Sequence, residues 1–427
     1  MNSVSYSKEI PLYGEYDICV LGGGPAGVCA AVSAARQSRR VLLVEATGVL
    51  GGMATSGMVG PFMTCYDREG ESRCVGGLFD EIVARLQTRS AVIAPENTDS
   101  PSVYTSFIEK YHRHVTPFLS FELEIVLDEL VRQSGAELLC YTQFADCIVE
   151  EGRIRHCLLN APQGLICVSA DMFIDCTGNA AVAEKAGVPT YKGEEQSGIP
   201  QPGTLMFEVG GVDDDAYSAR PERPVKAYRT PEAGRYRVNH YHVYNVDAAD
   251  ARSLTDAHSE ARLQVLDALR VLREKTPGFE KAQFLGAAPV LGIRESRHIE
   301  GEYRITVQDV AEGTKFHDRI AVYGFGMDVH NRCETESGNF RTEVAKRYYI
   351  PYRSLIPKGC HNLLVAGKTI SCESQAVGGM RCMPAAMAMG QAAGIAAVLA
   401  LSCNADPRRI DIFRLQAGLT DAGAIID

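Results

Sequence analysis

The stretch Asp17-Ile-Cys-Val-Leu-Gly-Gly-Gly-Pro-Ala-Gly27 joins a short apolar run to a glycine-rich turn near the start of the chain. Residues 17–21 predict a buried strand, and the small residues from 25 to about 37 predict a helix. A second apolar run at residues 40–45 predicts the next strand. Together they form a β-α-β unit, which is typical of a parallel sheet covered by helices.

The turn itself has the spacing G-x-G-x-x-G, with glycines at 22, 24 and 27. Gly22 permits the tight turn, Gly24 lets backbone N–H groups approach a pyrophosphate, and Gly27 lets the helix pack close to the strand. Glu45 lies 21 residues beyond Gly24 and can accept hydrogen bonds from both ribose hydroxyls. In this context the motif predicts an adenine dinucleotide site, but it does not choose between NAD and FAD.

Composition narrows the classes of partner. The 427 residues correspond to two or three domains, and the formal net charge of -10 argues against a nucleic-acid partner. The 14 cysteines are scattered without a C-x-x-C pair, which favours buried thiols in a reducing cytoplasm. We therefore expect a cytoplasmic protein with a small-molecule substrate and no metal site, and homo-oligomers stay open.

Neither end of the chain predicts a membrane segment. Residues 1–16 lack the apolar core of a signal peptide. The apolar stretch 385–401 is interrupted by Gln391 and weakened by Gly390 and Gly394, so a buried helix is expected rather than a membrane span.

The remaining pattern predicts a domain assembled from separated pieces. Residues 119–133 predict a helix with a stripe of Phe121, Ile125, Leu127 and Leu130, ended by Gly135. Strands are predicted at 137–141, 145–150, 153–160, 165–168 and 171–175, and later a strand at 235–246 and a helix at 255–275. The predicted dinucleotide domain comprises residues 1–61, 119–206 and 346–427, and the predicted cap comprises residues 62–118 and 207–345.

Three further segments carry a resemblance. Gly51-Gly-Met-Ala-Thr55, Asp175-Cys-Thr-Gly-Asn179 and Asn362-Leu-Leu-Val-Ala-Gly367 resemble, in this order, elements of the flavoproteins with two dinucleotide-binding domains, those shaped like glutathione reductase. The resemblance implies that the dinucleotide is FAD. It also implies an α/β fold, with a discontinuous Rossmann-like FAD-binding domain of the glutathione-reductase type and an inserted α+β substrate or cap domain.

A closer resemblance is to the family called FAD-dependent oxidoreductase. It rests on segments 291–301, 362–371 and 378–394 and covers roughly residues 15 to 400. Lys368 departs from the pattern, because related flavoproteins often carry an acidic residue there on the ribityl chain. The motif and the resemblance together assign to FAD the residues Gly22, Gly24, Pro25, Ala26, Gly27, Glu45, Gly51, Gly52, Met53, Ala54, Thr55, Ala145, Thr177, Gly178, Gly367, Gly379, Met380 and Met383.

The resemblance also implies where the reactive ring lies. A helix that begins at about Pro384 would point its N-terminus at the isoalloxazine, and this favours negative charge there on reduction. Arg381, three residues earlier, can add a cation. The alternative is that Arg381 pairs with a carboxylate between domains.

Two other segments contain candidate catalytic residues. Arg294 and Arg297 would share one face of a helix and could clamp a carboxylate, or else form an ion-pair network between domains. His330 can remove a hydroxyl proton beside a flavin, although a structural histidine is the alternative. His240 and His242 would share one strand face, but no convincing third metal ligand accompanies them. The candidate catalytic residues are Arg294, His330 and Arg381.

The expected reaction follows from the single G-x-G-x-x-G. No second nucleotide domain for NAD(P)H is visible, which favours dehydrogenation of a small polar organic substrate by hydride transfer to flavin N5. The alternatives are a flavoprotein electron-transfer component working with a partner protein, and a flavin-dependent tRNA-modifying enzyme, which conflicts with the acidic charge. A dithiol mechanism would involve Cys372 and Cys382, which flank the Gly378-Gly379 loop.

Overall fold

The computed structural model describes residue 4 and residues 7–107, 112–219, 226–333, 340–342 and 344–427. The strands are β1 (Leu12–Leu21), β2 (Val41–Val44), β3 (Glu137–Leu139), β4 (Gln143–Glu150), β5 (Arg153–Ala161), β6 (Gly164–Asp175), β7 (Thr190–Lys192), β8 (Phe207–Gly210), β9 (Ala227–Arg229), β10 (Tyr236–Val238), β11 (Gln283–Ala287), β12 (Arg297–Ile299), β13 (Arg319–Tyr323), β14 (Met327–Val329), β15 (Phe340–Thr342), β16 (Tyr348–Pro351) and β17 (Leu363–Val365). The helices are α1 (Pro25–Ala35), α2 (Leu78–Thr88), α3 (Ser120–Ser134), α4 (Ala181–Lys185), α5 (Asp214–Ser218), α6 (Ala251–Lys275), α7 (Val307–Glu312), α8 (Val377–Met380), α9 (Met383–Ser402) and α10 (Ile412–Asp421).

The central sheet is mixed, and β6 belongs to both its parallel and its antiparallel part. The strands β3, β2, β1, β6 and β17 are parallel, in that spatial order. The amino half of β6 pairs antiparallel with β5, which pairs antiparallel with β4. The sequence predicted two strands at 165–168 and 171–175. This was wrong, because Ser169 and Ala170 continue the ladder with β1 and make β6 one strand.

Glycines set the position of α9 against α1. A Cβ at Gly390 would overlap the carbonyl oxygen of Ala26, and a Cβ at Gly394 would overlap that of Ala30. The two helices therefore lie in contact and run parallel, with their N-termini at the same edge of the sheet. Since Met383 precedes Gly390 by seven residues, α9 begins about 10 Å before the level of Ala26.

Helix α3 confirms the predicted element but not its predicted face. Gly135 ends the helix in the left-handed conformation, as expected. Phe121 is 69% exposed, so its assignment to the buried stripe was wrong. The face of α3 that packs against α1 and α2 is rotated from the predicted one. It buries Leu123, Val126 and Val131 in addition to Leu127 and Leu130.

A second, antiparallel sheet joins β11, β8, β10 and β9 in that order. Helix α6 buries small and apolar side chains with this sheet, including Ala257, Ala261 and Leu272. The sequence predicted one strand over 235–246, but β10 ends at Val238 and irregular backbone follows. The strand ends there because β8 and β9 pair with β10 only as far as Val238. Among the described residues after it, Val243 forms an isolated bridge with Gly203.

The described residues form three apolar cores. The cap core contains residues from 205–291 together with Val103, nearly all from the predicted cap. The largest core contains buried residues of the described part of 305–350 with α1, α3 and α9, and the third contains residues of β1, β5, β6 and β17. The predicted boundaries stay a prediction, but the 300–345 part of the predicted cap packs against the sheet domain.

Among the described residues, α9 is the helix that is long and apolar enough to cross a membrane by length and composition. Its most apolar window is 78% buried inside the fold. Helices α1, α2 and α10 cover it, as expected for a core helix.

Candidate active site

A cavity of about 540 Å³ lies at the carboxyl edge of the parallel strands. Leu21, Val44 and Cys176, at or just beyond the ends of β1, β2 and β6, line it together with Ala366 after β17. Ligands of open α/β sheets bind at this edge. A second hollow of about 440 Å³, near the start of β17, is lined mainly by charged and polar residues away from these strand ends.

The glycine-rich turn lines the end of this cavity that lies at the N-terminus of α1. Gly22 has φ of +102°, and a Cβ there would press on the backbone of Cys176. A Cβ at Gly27 would overlap the carbonyl of Gly22, whereas one at Gly24 would meet no atom within 4 Å. No side chain caps the N-terminus of α1. The turn therefore leaves space and free backbone donors for an anionic group.

Glu45 lines the same end and is already oriented. Its Oε2 accepts a hydrogen bond from the backbone N–H of Gly23 at 2.7 Å, and its Oε1 accepts one from that of Thr47 at 2.7 Å. Oε1 also accepts from the Thr47 hydroxyl at 2.8 Å, whereas Oε2 has one donor and keeps acceptor capacity for a ribose hydroxyl.

Asp175 holds the turn that follows β6. Its Oδ1 accepts from the N–H and hydroxyl of Thr177, and its Oδ2 accepts from the N–H of Ala183. Burial raises the pKa of Asp175, while these hydrogen bonds favour the carboxylate. Asp175 thus places Thr177 and Gly178 at the cavity wall.

The predicted FAD residues separate into two groups. Those that line the cavity are Gly22, Gly24, Pro25, Ala26, Glu45, Gly52, Met53, Thr177, Gly178, Gly367 and Met383. Those that do not are Gly27, Gly51, Ala54, Thr55, Ala145, Gly379 and Met380.

Local packing explains the second group. The hydroxyl of Thr55 donates to the carbonyl of Leu50, so it braces the Gly51 turn. A Cβ at Gly379 would overlap the hydroxyl of Tyr348, so this glycine serves close packing. The residues just before Ala145, at 142–144, reach the cavity in its place.

Part of the cavity wall was not predicted from the sequence. Residues from the cap, 289–291 with Leu254 and His258, cover it. Lys368 also lines it and donates to the carbonyl of Ile293 at 2.6 Å. Burial, together with the charge of Arg381, lowers the pKa of Lys368 to about 8. The signal in the sequence was that a lysine stands at position 368, where related flavoproteins often carry an acidic residue.

The α9 end of the cavity contains Arg381. Its Nη1 donates to Gln201 Oε1 and its Nη2 to the carbonyl of Asp328, both at 2.7 Å. The Asp328 carboxylate lies 3.6 Å away, so the guanidinium both lines the cavity and pairs with a carboxylate. Pro384 stands in the first turn of α9, whose N-terminus has no side-chain cap.

Arg294 and Arg297 do not share a helix face, and that prediction was wrong. Thr204 pairs with Gly292, and Arg297 pairs with Lys192 as β12, so the backbone on both sides of Arg294 is extended. Arg297 turns away, toward the Asn179 carbonyl and Glu184.

Arg294 instead donates from Nη1 to the carbonyl of Pro202 at 2.8 Å and to the Thr204 hydroxyl at 2.7 Å. Burial and, to a smaller extent, the nearby charge of Arg381 lower its pKa to about 9. Arg294 and Arg381 are therefore brought together, although they lie in different segments of the chain.

His330 is buried, and both its ring nitrogens have partners. Nε2 lies 3.2 Å from Asp328 Oδ2, and Nδ1 lies 3.0 Å from His242 Nε2. Burial and the charge of Arg294 lower the pKa of His330 to about 3. Burial disfavours the Asp328 carboxylate, but the His330 hydrogen bond and Arg381 outweigh it and hold the pKa of Asp328 well below its usual range. His330 is therefore neutral and Asp328 ionised near pH 7.

Metal and dithiol chemistry gain no support from the described side chains. Within the described ranges, no group of three or more His, Cys, Asp or Glu residues is arranged to hold a metal ion. Cys372 is fully buried beside His298, and burial raises the pKa of Cys382 to about 12.

The model of the FAD dependent oxidoreductase family matches residues 17–419. The chain belongs to this family. It is therefore an oxidoreductase that uses FAD. The cavity of this family member fits FAD. The uncapped N-termini of α1 and α9 offer backbone N–H donors for anionic groups, and Glu45 offers an acceptor for a ribose hydroxyl.

The FAD dependent oxidoreductase is similar to curated proteins over part of its length. It is 28% identical to the thiamine thiazole synthase of Aeropyrum pernix over 180 residues, which are 40% of this chain and 57% of that protein. It is 25% identical to digeranylgeranylglycerophospholipid reductase 2 of Methanothermobacter thermautotrophicus over 218 residues, 47% of this chain and 48% of that protein. The chain thus spans about half the length of these relatives.

Among solved structures, the p-nitrophenol 4-monooxygenase PnpA of Pseudomonas putida DLL-E4 superposes with a TM-score of 0.52 at 11% identity. The match covers 96% of this chain and 85% of that one. It shows an α/β fold with a mixed Rossmann-like sheet and antiparallel inserts. The match is to a monooxygenase, so the glutathione-reductase type of domain stays a prediction.

Proposed function

We propose that this enzyme dehydrogenates a small polar organic substrate that carries an anionic group, with hydride passing to N5 of FAD. The observation that carries the proposal is the position of Arg381, which lines the cavity at the N-terminus of α9. Bound FAD supplies a two-electron hydride acceptor. Arg381 and the first turn of α9 supply positive charge where negative charge develops on reduction.

The charges beside this end of the cavity favour an anionic substrate. Arg294, Arg381 and Lys368 are cationic or partly so at neutral pH, and Asp328 is the carboxylate paired among them. A guanidinium binds a carboxylate through two parallel hydrogen bonds, which also fixes its orientation. A 2-hydroxy acid would present a carboxylate to Arg381, which lines the cavity, and its C–H bond to the cofactor.

The proton of the substrate hydroxyl needs a base in the cavity. His330 has both nitrogens engaged and does not line the cavity, so it is not the base in this arrangement. Lys368 lines the cavity, and its pKa of about 8 leaves part of it as neutral amine near pH 7. A base is most effective when its pKa lies near the working pH. We assign the proton to the neutral fraction of Lys368 Nζ, a fraction that bound FAD reduces because its negative charge stabilises the ammonium.

The finer fold type is part of the same proposal. A sheet of parallel strands extended by the β4–β5–β6 antiparallel unit supports a glutathione-reductase type of FAD domain. In that arrangement the residues that would hold the cofactor lie along the cavity from Glu45, past the N-terminus of α1, to α9.

The test is an anaerobic panel on the FAD-loaded full chain, read by flavin absorbance. We expect glycolate, lactate or malate to bleach the flavin and glucose to do so much more slowly. The variant Arg381→Met should slow bleaching about a hundredfold, since a positioned donor contributes about that much, and Arg381→Lys should recover part of it. Bleaching by a reduced partner protein, with none of the four compounds active, would contradict the proposal and support electron transfer instead.

A further inference from the structure

Five side chains form one continuous hydrogen-bonded path beside the cavity. Arg294 Nη1 donates to Thr204 Oγ1 at 2.7 Å, and Thr204 Oγ1 lies 3.0 Å from His242 Nδ1. His242 Nε2 lies 3.0 Å from His330 Nδ1, and His330 Nε2 lies 3.2 Å from Asp328 Oδ2. The two imidazole planes cross at 89°, so each ring points a nitrogen at the other without stacking.

The Asp328 end of the path fixes its direction. The ionised Asp328 carboxylate only accepts, so His330 carries its proton on Nε2 and donates it to Asp328. Because His330 is neutral, its Nδ1 accepts from His242, which therefore carries its proton on Nε2. His242 Nδ1 is then an acceptor, and the Thr204 hydroxyl donates to it. A lone pair of the same hydroxyl accepts from Arg294, which can only donate.

Burial makes this direction stable. Thr204 is 3% exposed and His330 is 4% exposed, so water competes little for the bonds of these two side chains, whereas His242 and Asp328 are half-buried. Burial lowers the pKa of both His242 and His330 to about 3. The charge of Arg294 disfavours a proton on both rings. Arg381 has the same effect on His330, and Lys226 has it on His242. Asp328 acts in the opposite direction and favours a proton on His330.

The Asp328 end of the path also holds the second guanidinium. Arg381 donates to the carbonyl of Asp328, and Gln201 Oε1 accepts from both Arg381 Nη1 and the backbone N–H of His330. Each arginine is therefore tied to one end of the same chain of bonds.

We propose that Thr204, His242 and His330 form a one-way hydrogen-bond relay that positions Arg294 and Arg381 on a common frame. The relay holds the guanidinium groups of Arg294 and Arg381 near each other. Neither group then needs its own acidic partner on the side that faces the substrate. Thr204, His242 and His330 are positioning residues, because they act through the arginines. The role of the two positioned arginines in substrate binding rests on the proposed function. The hydrogen-bond relay itself does not, because it is present in the protein without substrate.

The test is the imidazole ¹⁵N spectrum of the FAD-loaded full chain labelled with ¹⁵N-histidine. His242→Gln and His330→Gln assign the two rings. We expect both rings to show the neutral Nε2–H pattern from pH 5 to pH 8. An Nδ1–H pattern or an imidazolium in either ring over this range would overturn the relay, whatever the substrate panel shows.

Threonine variants test the link to Arg294. Thr204→Val should shift the His242 Nδ1 resonance toward that of an acceptor without a donor, and Thr204→Ser should restore it. Thr276→Val is the matched control, because Thr276 is buried in the cap and its hydroxyl is unpaired within the described part of the chain. An unchanged His242 resonance in Thr204→Val, or an equal shift in Thr276→Val, would contradict the inference.

Discussion

At the scale of single residues, Glu45 is held in place before any ligand binds. Two backbone N–H groups, of Gly23 and Thr47, donate to its carboxylate from opposite sides. The same carboxylate lines the cavity at the end of β2. Its orientation therefore needs no rearrangement to meet a ribose, which lowers the entropic cost of binding.

The variant Glu45→Gln tests this residue. The amide must direct a donor at one of the two N–H groups, so one charge-assisted bond is lost and one repulsive contact is made. We expect the Kd for FAD to rise by about tenfold or more, from a loss of about 1.5–3 kcal/mol. Titration of apoprotein with FAD, followed by flavin fluorescence, measures it. Glu15→Gln, on the exposed part of β1, should leave the Kd unchanged.

Lys368 gives FAD binding a pH dependence. Its pKa of about 8 is lower than that of an ordinary lysine because of burial and Arg381. Bound FAD is an anion and stabilises the ammonium, so binding takes up a proton when pH is near or above 8. FAD affinity should therefore fall as pH rises from 7 to 9.

The variant Lys368→Met should bind FAD about tenfold more weakly at pH 7 and lose most of this pH dependence. Lys358→Met removes an exposed lysine that pairs with Glu300 and is the control. An equal slope of log Kd against pH in the wild type and in Lys368→Met would contradict the assignment.

Residues in a local motif were predictable, and residues assembled by the fold were not. Gly22, Gly24 and Glu45 lie within 24 positions of one another, and their spacing alone predicts the site. The contact between His242 and His330 spans 88 positions and depends on how irregular backbone after β10 meets β14. No periodicity in either segment indicates that contact.

At the scale of elements, the contact between α1 and α9 determines the shape of the cavity. Small residues on both helices let the backbones approach, and this sets how far α9 extends beyond α1. Apolar composition predicted that 385–401 is a buried helix. It could not predict the neighbour of that helix, because a helix that is apolar on all sides has no preferred face.

The variant Gly394→Ala should destabilise the protein by about 1–3 kcal/mol, because its Cβ would overlap the Ala30 carbonyl and Ser33. Chemical denaturation of the FAD-loaded protein measures the loss. The control is Gly418→Ala in α10, whose Cβ would meet Ile395 at an ordinary distance. It should be neutral or stabilise by up to about 1 kcal/mol. Equal effects of the two substitutions would show that α1 and α9 are not in this contact.

Element types followed from the sequence more often than element ends. The β-α-β unit, α3 and α6 match the predicted pattern. The 235–246 segment has enough β-branched and aromatic residues for a strand, but pairing partners exist only up to Val238. Propensity describes what a segment fits, whereas pairing depends on residues far away in the chain.

At the scale of the whole molecule, Arg237 connects the cap core with the largest core. Its Nε donates to Glu208 Oε1 at 2.8 Å inside the cap sheet, and its Nη2 donates to the Ser120 hydroxyl at the start of α3. The guanidinium also lies 4.7 Å from the ring centroid of Phe118. Both members of the Glu208–Arg237 ion pair are buried.

The variant Arg237→Met should lower the free energy of unfolding by about 3 kcal/mol, because it leaves Glu208 buried with Arg235 as its remaining ion-pair partner. Arg270→Met, which removes an exposed arginine from ion pairs on α6, should lower the free energy of unfolding far less, because solvent screens these pairs. Thermal or chemical unfolding compares the two variants. Similar losses in both would contradict a connecting role for Arg237.

The central claim is that one cavity holds FAD with its reactive ring at the α9 end, beside Arg381. An experimental structure of the FAD complex tests it most directly. The account predicts the adenosine ribose within hydrogen-bond distance of Glu45, the pyrophosphate at the N-terminus of α1 and the isoalloxazine in contact with the first turn of α9. An isoalloxazine bound near Glu45, or outside this cavity, would contradict the account.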